Sequence, residues 1–302
     1  MVTTAGSRRT QAAVRPARLA APGHRGHDHL KIILYVLAAV LSLVVFVVPL
    51  LWALMRSLQP NGTITAAPSM STFFDLTFAN FRGIAAEGHI PRAVLNSVLV
   101  AAGTAVLTTV LATAAGYGFG RYAFRGKNVA FGLIIVTLMV PFQAILTPLF
   151  LELNAMRLTD SLVGLVLFYS TVNLPFGVFV MRTAFAAVPD ALEDAALIDG
   201  AGTVRTLTSV LRPLVVPGMA TTALYAFLAA WTEFLGALTF LTRQDLYTLP
   251  VSLVNLQQGA YGQIDYGFLA AGAVIAMIPC VLLFVSLQRY YVAGLAAGAV
   301  KG

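Results

Sequence analysis

Few side chains in this sequence are able to do chemistry, and they are placed selectively. Of 302 residues, 59% are hydrophobic and only 10% are charged. Glu233 is the only acidic residue well inside a long apolar run. A charge at the centre of a bilayer costs about 2.5–3.5 kcal/mol on insertion scales, so Glu233 is expected to face a polar interior or to be protonated. Gln143 and Asn173 put amides in the middle of other apolar runs. Such groups can hydrogen-bond the hydroxyls of a solute, or a neighbouring helix. Trp231 offers a flat ring, but it lies two positions from Glu233, and neighbours on one helix face are three or four apart. Tyr169, Ser170 and Thr171 are weaker candidates of the same kind.

Covalent chemistry has no visible home, so no catalytic residue is expected. The chain has no H-E-x-x-H, no G-x-S-x-G and no pair of carboxylates buried in its apolar runs, which disfavours a membrane-embedded enzyme. It also lacks the G-x4-G-K-[ST] phosphate loop, so no nucleotide is expected to bind here. The single cysteine, Cys280, can form neither an intrachain disulfide nor a metal cluster. His24, His27, Asp28 and His29 cluster in a tail with no fixed geometry, and no metal site is expected there. Gly116-x-Gly118-x-Gly120 lacks the dinucleotide-binding spacing and reads as a close-packing or bending site.

The other concentration of acids is Pro-Asp-Ala-Leu-Glu-Asp-Ala-Ala-Leu-Ile-Asp-Gly, from Pro189 to Gly200. Asp190 precedes Glu193 by three, the spacing of a capping box in which each satisfies an amide of the first helical turn. Two carboxylates there also suit the positive end of the helix dipole. Gly200 can take the left-handed conformation that ends a helix. A helix of about ten residues follows, too short to be stable alone. Its face Leu192, Ala195, Ala196 and Asp199 lies at i, i+3, i+4, i+7. Physics alone leaves two readings open: an interfacial loop resting on its own bundle, or a knob offered to a soluble partner. A second short helix, about Thr203 to Leu211, leads to Pro213 and the next apolar run.

What positions these groups is a set of membrane spans. Six apolar stretches, about 31–55, 93–120, 128–152, 161–182, 213–242 and 267–289, each reach the roughly 20 residues that cross a bilayer core. Pro49, Pro141, Pro148, Pro175, Pro217 and Pro279 fall within them, as neighbouring helices permit in lipid. The predicted fold is all-α, a polytopic bundle of six transmembrane helices in one integral domain, 31–302. It is preceded by a disordered basic tail, 1–30, rich in Arg, Ala and Pro. The net charge of +7 does not point to nucleic acid, because the basic residues flank the apolar runs. Of the 19 Lys and Arg residues, Arg56, Arg82, Arg92, Arg157 and Arg243 fall on one side and all others on the other. The positive-inside rule then places both termini in the cytoplasm. The loop 56–92 becomes the largest outer loop, and 185–212 an inner one.

One motif decides between the two readings of the inner segment. Asp194-Ala195-Ala196-x3-Gly200-x9-Val210-x-Arg212-Pro213 resembles the "EAA" signature of membrane subunits of bacterial ABC importers, Glu-Ala-Ala-x3-Gly-x9-Ile-x-Leu-Pro. Asp194 stands for Glu, Val210 for Ile, and Arg212 places a charge where the family has an apolar residue. Further stretches are similar to the carbohydrate branch, whose members resemble the second maltose permease. They are Asn96-Ser97, Tyr117-x3-Arg121-x3-Arg125-Gly126-Lys127, Val140-Pro141-Phe142-Gln143, Leu174-Pro175-Phe176-Gly177, Trp231-Thr232-Glu233-Phe234 and the C-terminal Gly294-Leu295-x2-Gly298-Ala299-Val300-Lys301-Gly302. The resemblance runs from about residue 31 to the end.

The resemblance implies the type I permease fold of ABC importers in a bacterial cell membrane, with the inner helix acting as a coupling helix. Leu192, Glu193, Asp194, Ala195, Ala196, Asp199 and Gly200 would then engage an ATP-hydrolysing partner. Glu233, Asn173, Gln143 and Trp231 are the candidates for the solute pathway. The implied partners are a second, homologous permease, a dimer of ATP-binding subunits that hold ATP and Mg, an extracytoplasmic sugar-binding protein, and the lipid bilayer. No cofactor is expected on this chain. An ion-coupled secondary transporter is the rival reading, but such proteins usually place several ionisable groups at the midplane, and this sequence offers one.

Overall fold

The computed structural model describes residues 25–60, 75–87, 89–258 and 264–299. Among the described residues every regular element is a helix, as a chain this apolar requires, because a helix satisfies its own backbone groups within lipid. The chain forms two compact units, one ending at Leu51 and one beginning at Trp52. The first contains most of α1 (Arg25–Ser57). Residues 1–24 of the expected tail lie outside the described residues. From Arg25 to Leu30 the expected disorder gives way to helix, since extending a formed helix is far easier than nucleating one.

The second unit is built on α3 (His89–Arg121) packed along α6 (Leu162–Ala186), with α8 (Thr203–Thr232) lying against both. Close approach of α3 and α6 depends on two glycines at an i, i+4 spacing. A Cβ on Gly116 would sit 2.4 Å from Met181 Cβ, and one on Gly120 would sit 2.7 Å from Phe185 Cβ. Gly118 faces open space. The glycine run is therefore a close-packing site, with the first and third members doing the packing. α11 (Tyr266–Ala299) packs against α2 (Ala79–Glu87) and α10 (Leu249–Gln257), and α10 also meets α3.

Among the described residues five helices are long and apolar enough to cross a membrane, or six if one bent pair is counted as a single span. That pair corrects the expected continuous span 128–152. α4 (Lys127–Thr137) and α5 (Phe142–Ala155) meet at an angle of 101°. Pro141 has extended ψ and supplies no N–H, so the Thr137 carbonyl accepts instead from Val140 in a turn. Pro49, Pro148, Pro175, Pro217 and Pro279 stay inside their helices.

The fifth span is displaced as well. It was expected at 213–242, but α8 starts at Thr203 and stops at Thr232, and α9 (Leu235–Phe240) follows as a separate short helix. The expected second short helix is the first part of α8 and carries a π-helical stretch, Thr206–Leu211. The loop 56–92 is not wholly a loop. It contains α2 and the start of α3, and Asn80 Nδ2 donates to the carbonyls of Ser57 and Gln59 at 2.9 and 2.8 Å. Residues 61–74 of it lie outside the described residues.

Candidate functional site

The acidic segment sits where α6 and α8 turn back toward one another, beside the C-terminal end of α3. α6 ends at Ala186, α7 (Ala191–Ile198) follows, and Gly200 closes it with φ +76°. Gly200 N–H donates to Leu197 O and Ala201 N–H to Ala196 O, a paired C-terminal cap that requires a left-handed residue. A Cβ at Gly200 would meet nothing within 4 Å. Backbone conformation, not crowding, is what demands glycine there.

The start of α7 is held differently from the expected capping box. Asp190 has helical backbone angles and its side chain caps no amide. Both acids turn instead to Arg121. Its Nε donates to Glu193 Oε2 at 2.8 Å, and its Nη1 lies 2.8 Å from Asp190 Oδ1. Nη1 also donates to the Val188 carbonyl at 2.8 Å and, at 3.5 Å, to that of Phe185. Charge-assisted bonds to a guanidinium are about twice as strong as neutral ones, so the cation outcompetes a backbone amide. The Arg121 side chain is only 5% exposed, whereas that of Asp190 is 90% exposed.

The expected face of α7 divides. Ala196 is buried, and α7 packs on the π-helical stretch of α8. Leu192, Asp194, Ala195 and Asp199 are exposed. The most exposed apolar side chains of the segment are Ile198 at 86% and Val204 at 75%, followed by Leu197. None of these three was singled out from the sequence. Their signal was three large apolar residues at positions left off the packed face. Arg212 is exposed while Leu211 beside it is fully buried, so the departure from the signature carries its charge outward.

The polar groups expected in the spans are largely committed to the protein itself. Glu233 lies in the break between α8 and α9, with extended ψ. Its Oε2 accepts from Tyr169 OH at 2.5 Å and from Gly236 N–H at 2.8 Å, which caps α9. The expectation of a mid-span carboxylate is thus corrected: the helix stops and Glu233 satisfies the next one's first turn. Asn173 is buried, and its Nδ2 donates to Tyr169 O at 2.7 Å. Glu233 and Asn173 are therefore brought together around Tyr169. Trp231 is 2% exposed and its indole N–H donates to Ala276 O on α11 at 3.0 Å. Gln143 is exposed at the start of α5. A cavity of about 660 Å³ lies between the bent pair and α6, lined by residues such as Leu133, Ile134, Thr137, Pro148, Thr171 and Pro175. Its walls are almost wholly apolar, which does not suit a hydroxyl-rich ligand.

The opposite end of the bundle is tied by two partly exposed acids and by buried polar side chains of α3. Asp160, with φ +49°, accepts through its carboxylate from Thr242 N–H and Thr242 Oγ1, both at 2.6 Å, and from Arg243 N–H at 3.2 Å. The Thr242 bonds hold its carboxyl below the usual range. Asp245 lies 2.7 Å from Arg243 and 3.5 Å from Arg92, and its carboxyl is lowered, first by the Arg243 bond. Asn96 Nδ2 donates to the carbonyls of Asp245 and Tyr247, and Ser97 Oγ accepts from Leu249 N–H at 2.8 Å. The Asn96-Ser97 pair thus anchors the segment leading into α10. No group of three or more metal-binding side chains occurs among the described residues.

The chain is similar to known transport proteins. Residues 111–296 match the family described as "Binding-protein-dependent transport system inner membrane component". The trehalose transport system permease protein SugB of Mycobacterium tuberculosis is 34% identical over 84% of this chain and 92% of that protein. The trehalose/maltose transport system permease protein MalG of Thermococcus litoralis is 30% identical over 90% of this chain and 98% of that protein. Among solved structures, a chain from a bacterial ABC transporter involved in the import of the acidic polysaccharide alginate superposes with a TM-score of 0.77. It is 20% identical, and the match covers 90% of this chain and all of that one, so it speaks to fold.

Proposed function

Because this chain belongs to the family of binding-protein-dependent transport inner membrane components, we propose that it is the membrane subunit of an ATP-driven importer of a carbohydrate. The trehalose and maltose permeases among its relatives support that solute class. In this reading the solute arrives on an extracytoplasmic binding protein, and the channel forms with a second, homologous permease. The termini and α7 lie on the cytoplasmic side, in keeping with the distribution of Lys and Arg. ATP and Mg are bound by a pair of separate ATPase subunits, and α7 is the element they grip.

One observation carries the assignment: a helix too short to stand alone is fastened to the bundle through Arg121 while Leu197, Ile198 and Val204 project from it and from the start of α8. Apolar side chains so displayed gain from burial in a groove, about 25 cal/mol per Å² of apolar surface. The backbone turn at Gly200 sets the direction in which they point.

The test is co-expression with the ATPase subunits. Ile198→Asp with Val204→Asp should reduce co-purified ATPase at least tenfold while leaving the permease folded. Gly200→Val, a β-branched residue at φ +76°, should lower uptake and solute-stimulated ATP hydrolysis. Normal ATPase capture by the first pair, or normal transport by Gly200→Val with normal assembly, overturns the assignment.

A further inference from the structure

We infer that Arg121 is the positioning residue through which movement of α7 reaches the spans, so that the gripped helix drives α3 directly and not only its own loop. The inference rests on the proposed docking of an ATPase at α7, and deepens it. Arg121 is the last residue of α3, yet its guanidinium holds partners from two other places. Two are acids at the start of α7, Asp190 and Glu193, and two are carbonyls, Phe185 and Val188, at the end of α6. The bond to Glu193 joins positions 72 residues apart in the chain.

The surroundings make this a stiff joint. Gly120 lets the α3 backbone press against Phe185, and the Tyr117 ring lies 5.3 Å from that of Phe185. The guanidinium is buried, with 5% of its side chain exposed. Planar donors in a fixed fork leave little freedom between the two carboxylates. By contrast the covalent route from α7 to α6 runs through the turn Val188-Pro189, and the route to α8 runs through Gly200-Ala201-Gly202 and then a π-helical stretch. Through Arg121 a pull on α7 is carried into α3 without passing along either covalent route.

The test is hydrogen–deuterium exchange on the assembled complex in nanodiscs, with and without MgAMP-PNP, a non-hydrolysable ATP analogue. In the unaltered complex the analogue should change exchange both in α7 and in the last two turns of α3. In Arg121→Lys, which keeps the charge but loses the fork, the α7 response should persist while the α3 response falls at least threefold. A neutral set, Arg121→Met with Asp190→Asn and Glu193→Gln, leaves no unpaired charge and should keep both assembly and the α7 response while lacking the α3 response. A wild-type α3 response in either variant overturns the inference. Loss of assembly in both also overturns it, by reducing the contact to a folding role. If the analogue leaves α7 itself unchanged in the unaltered complex, the docking assignment fails instead.

Discussion

The two ends of the α3–α6–α8 bundle are both tied by charge, yet the ties are built in opposite ways. At one end a buried cation, Arg121, gathers two acids and two carbonyls from the end of α6 and the start of α7. At the other end the anions gather the donors. Asp160 accepts backbone and hydroxyl bonds from the 242–243 turn, and Asp245 sits between Arg243 and Arg92, both more than half exposed. Burial decides what each tie is worth. Removing one partner from a buried pair strands the other, whereas exposed pairs contribute little because water and salt replace them. In the coupling reading proposed above, force arrives at the rigid Arg121 end, and the end held by exposed ion pairs is the adjustable one.

The largest effect is expected from Arg121→Met alone. Glu193 keeps only a fifth of its side chain exposed and would be left without its cation. Breaking a buried pair typically costs 3–5 kcal/mol, and the exposure of Asp190 places this case near the lower end, at about 3 kcal/mol. Thermal unfolding in detergent should show a drop in melting temperature that the neutral triple variant largely recovers. A melting temperature equal to the unaltered protein's would mean that the buried end is no stronger than the exposed one.

Next in size is a pair of glycine substitutions near the rigid end. In Gly116→Ala the new Cβ meets Met181 Cβ at 2.4 Å and the Arg182 backbone nitrogen at 2.8 Å, and backbone cannot swing aside. Overpacking of this kind costs about 1–3 kcal/mol. Gly118→Ala meets nothing within 4 Å, and replacing a mid-helix glycine by alanine gains about 0.5–1 kcal/mol. The two changes, two residues apart, should therefore move the melting temperature in opposite directions. Equal shifts would show that α3 and α6 are not pressed together at Gly116.

These contrasts also mark how far the sequence could be read. The spans were legible because lipid imposes long apolar runs, and Gly200 was legible because a helix stop needs a left-handed residue that only glycine supplies cheaply. The Arg121 contacts were not. Asp190 and Glu193 have the spacing of a local cap, and nothing along the chain says that a cation 72 residues upstream will take both. Pro141 and Pro175 look alike in sequence, yet one breaks its span and the other does not. The difference lies in whether neighbouring helices hold the segment straight. Glu233 marks a break with no proline or glycine beside it. Its carboxylate supplies the cap that makes the break tolerable, together with a hydroxyl from Tyr169, on a different span.

A smaller effect is expected from Asp160→Asn. The amide oxygen can still accept from Thr242 N–H, but the charge and one of the bonds are lost, at about 1 kcal/mol. The native carboxyl is held below its ordinary value, so its contribution is present above the unfolded pKa and disappears as pH falls through the folded one. Melting of the unaltered protein should therefore weaken from about pH 4 downward, and Asp160→Asn should flatten that part of the profile. An unchanged acid limb would show that the contact between the Asp160 loop and the 242–243 turn does not depend on charge.

The smallest effect is expected where the comparison began, among the exposed pairs. Arg92 and Arg243 have side chains 60% and 62% exposed beside Asp245, and ion pairs in such settings are often worth nothing measurable. Arg92→Gln should leave the melting temperature unchanged, at low salt as well as at high salt. The anchoring of this segment rests instead on Asn96 and Ser97, which bond its backbone from within α3. A clear destabilisation by Arg92→Gln that vanished in high salt would mean that charge, and not those backbone bonds, holds this end. The proposed division into a rigid end and an adjustable one would then be lost.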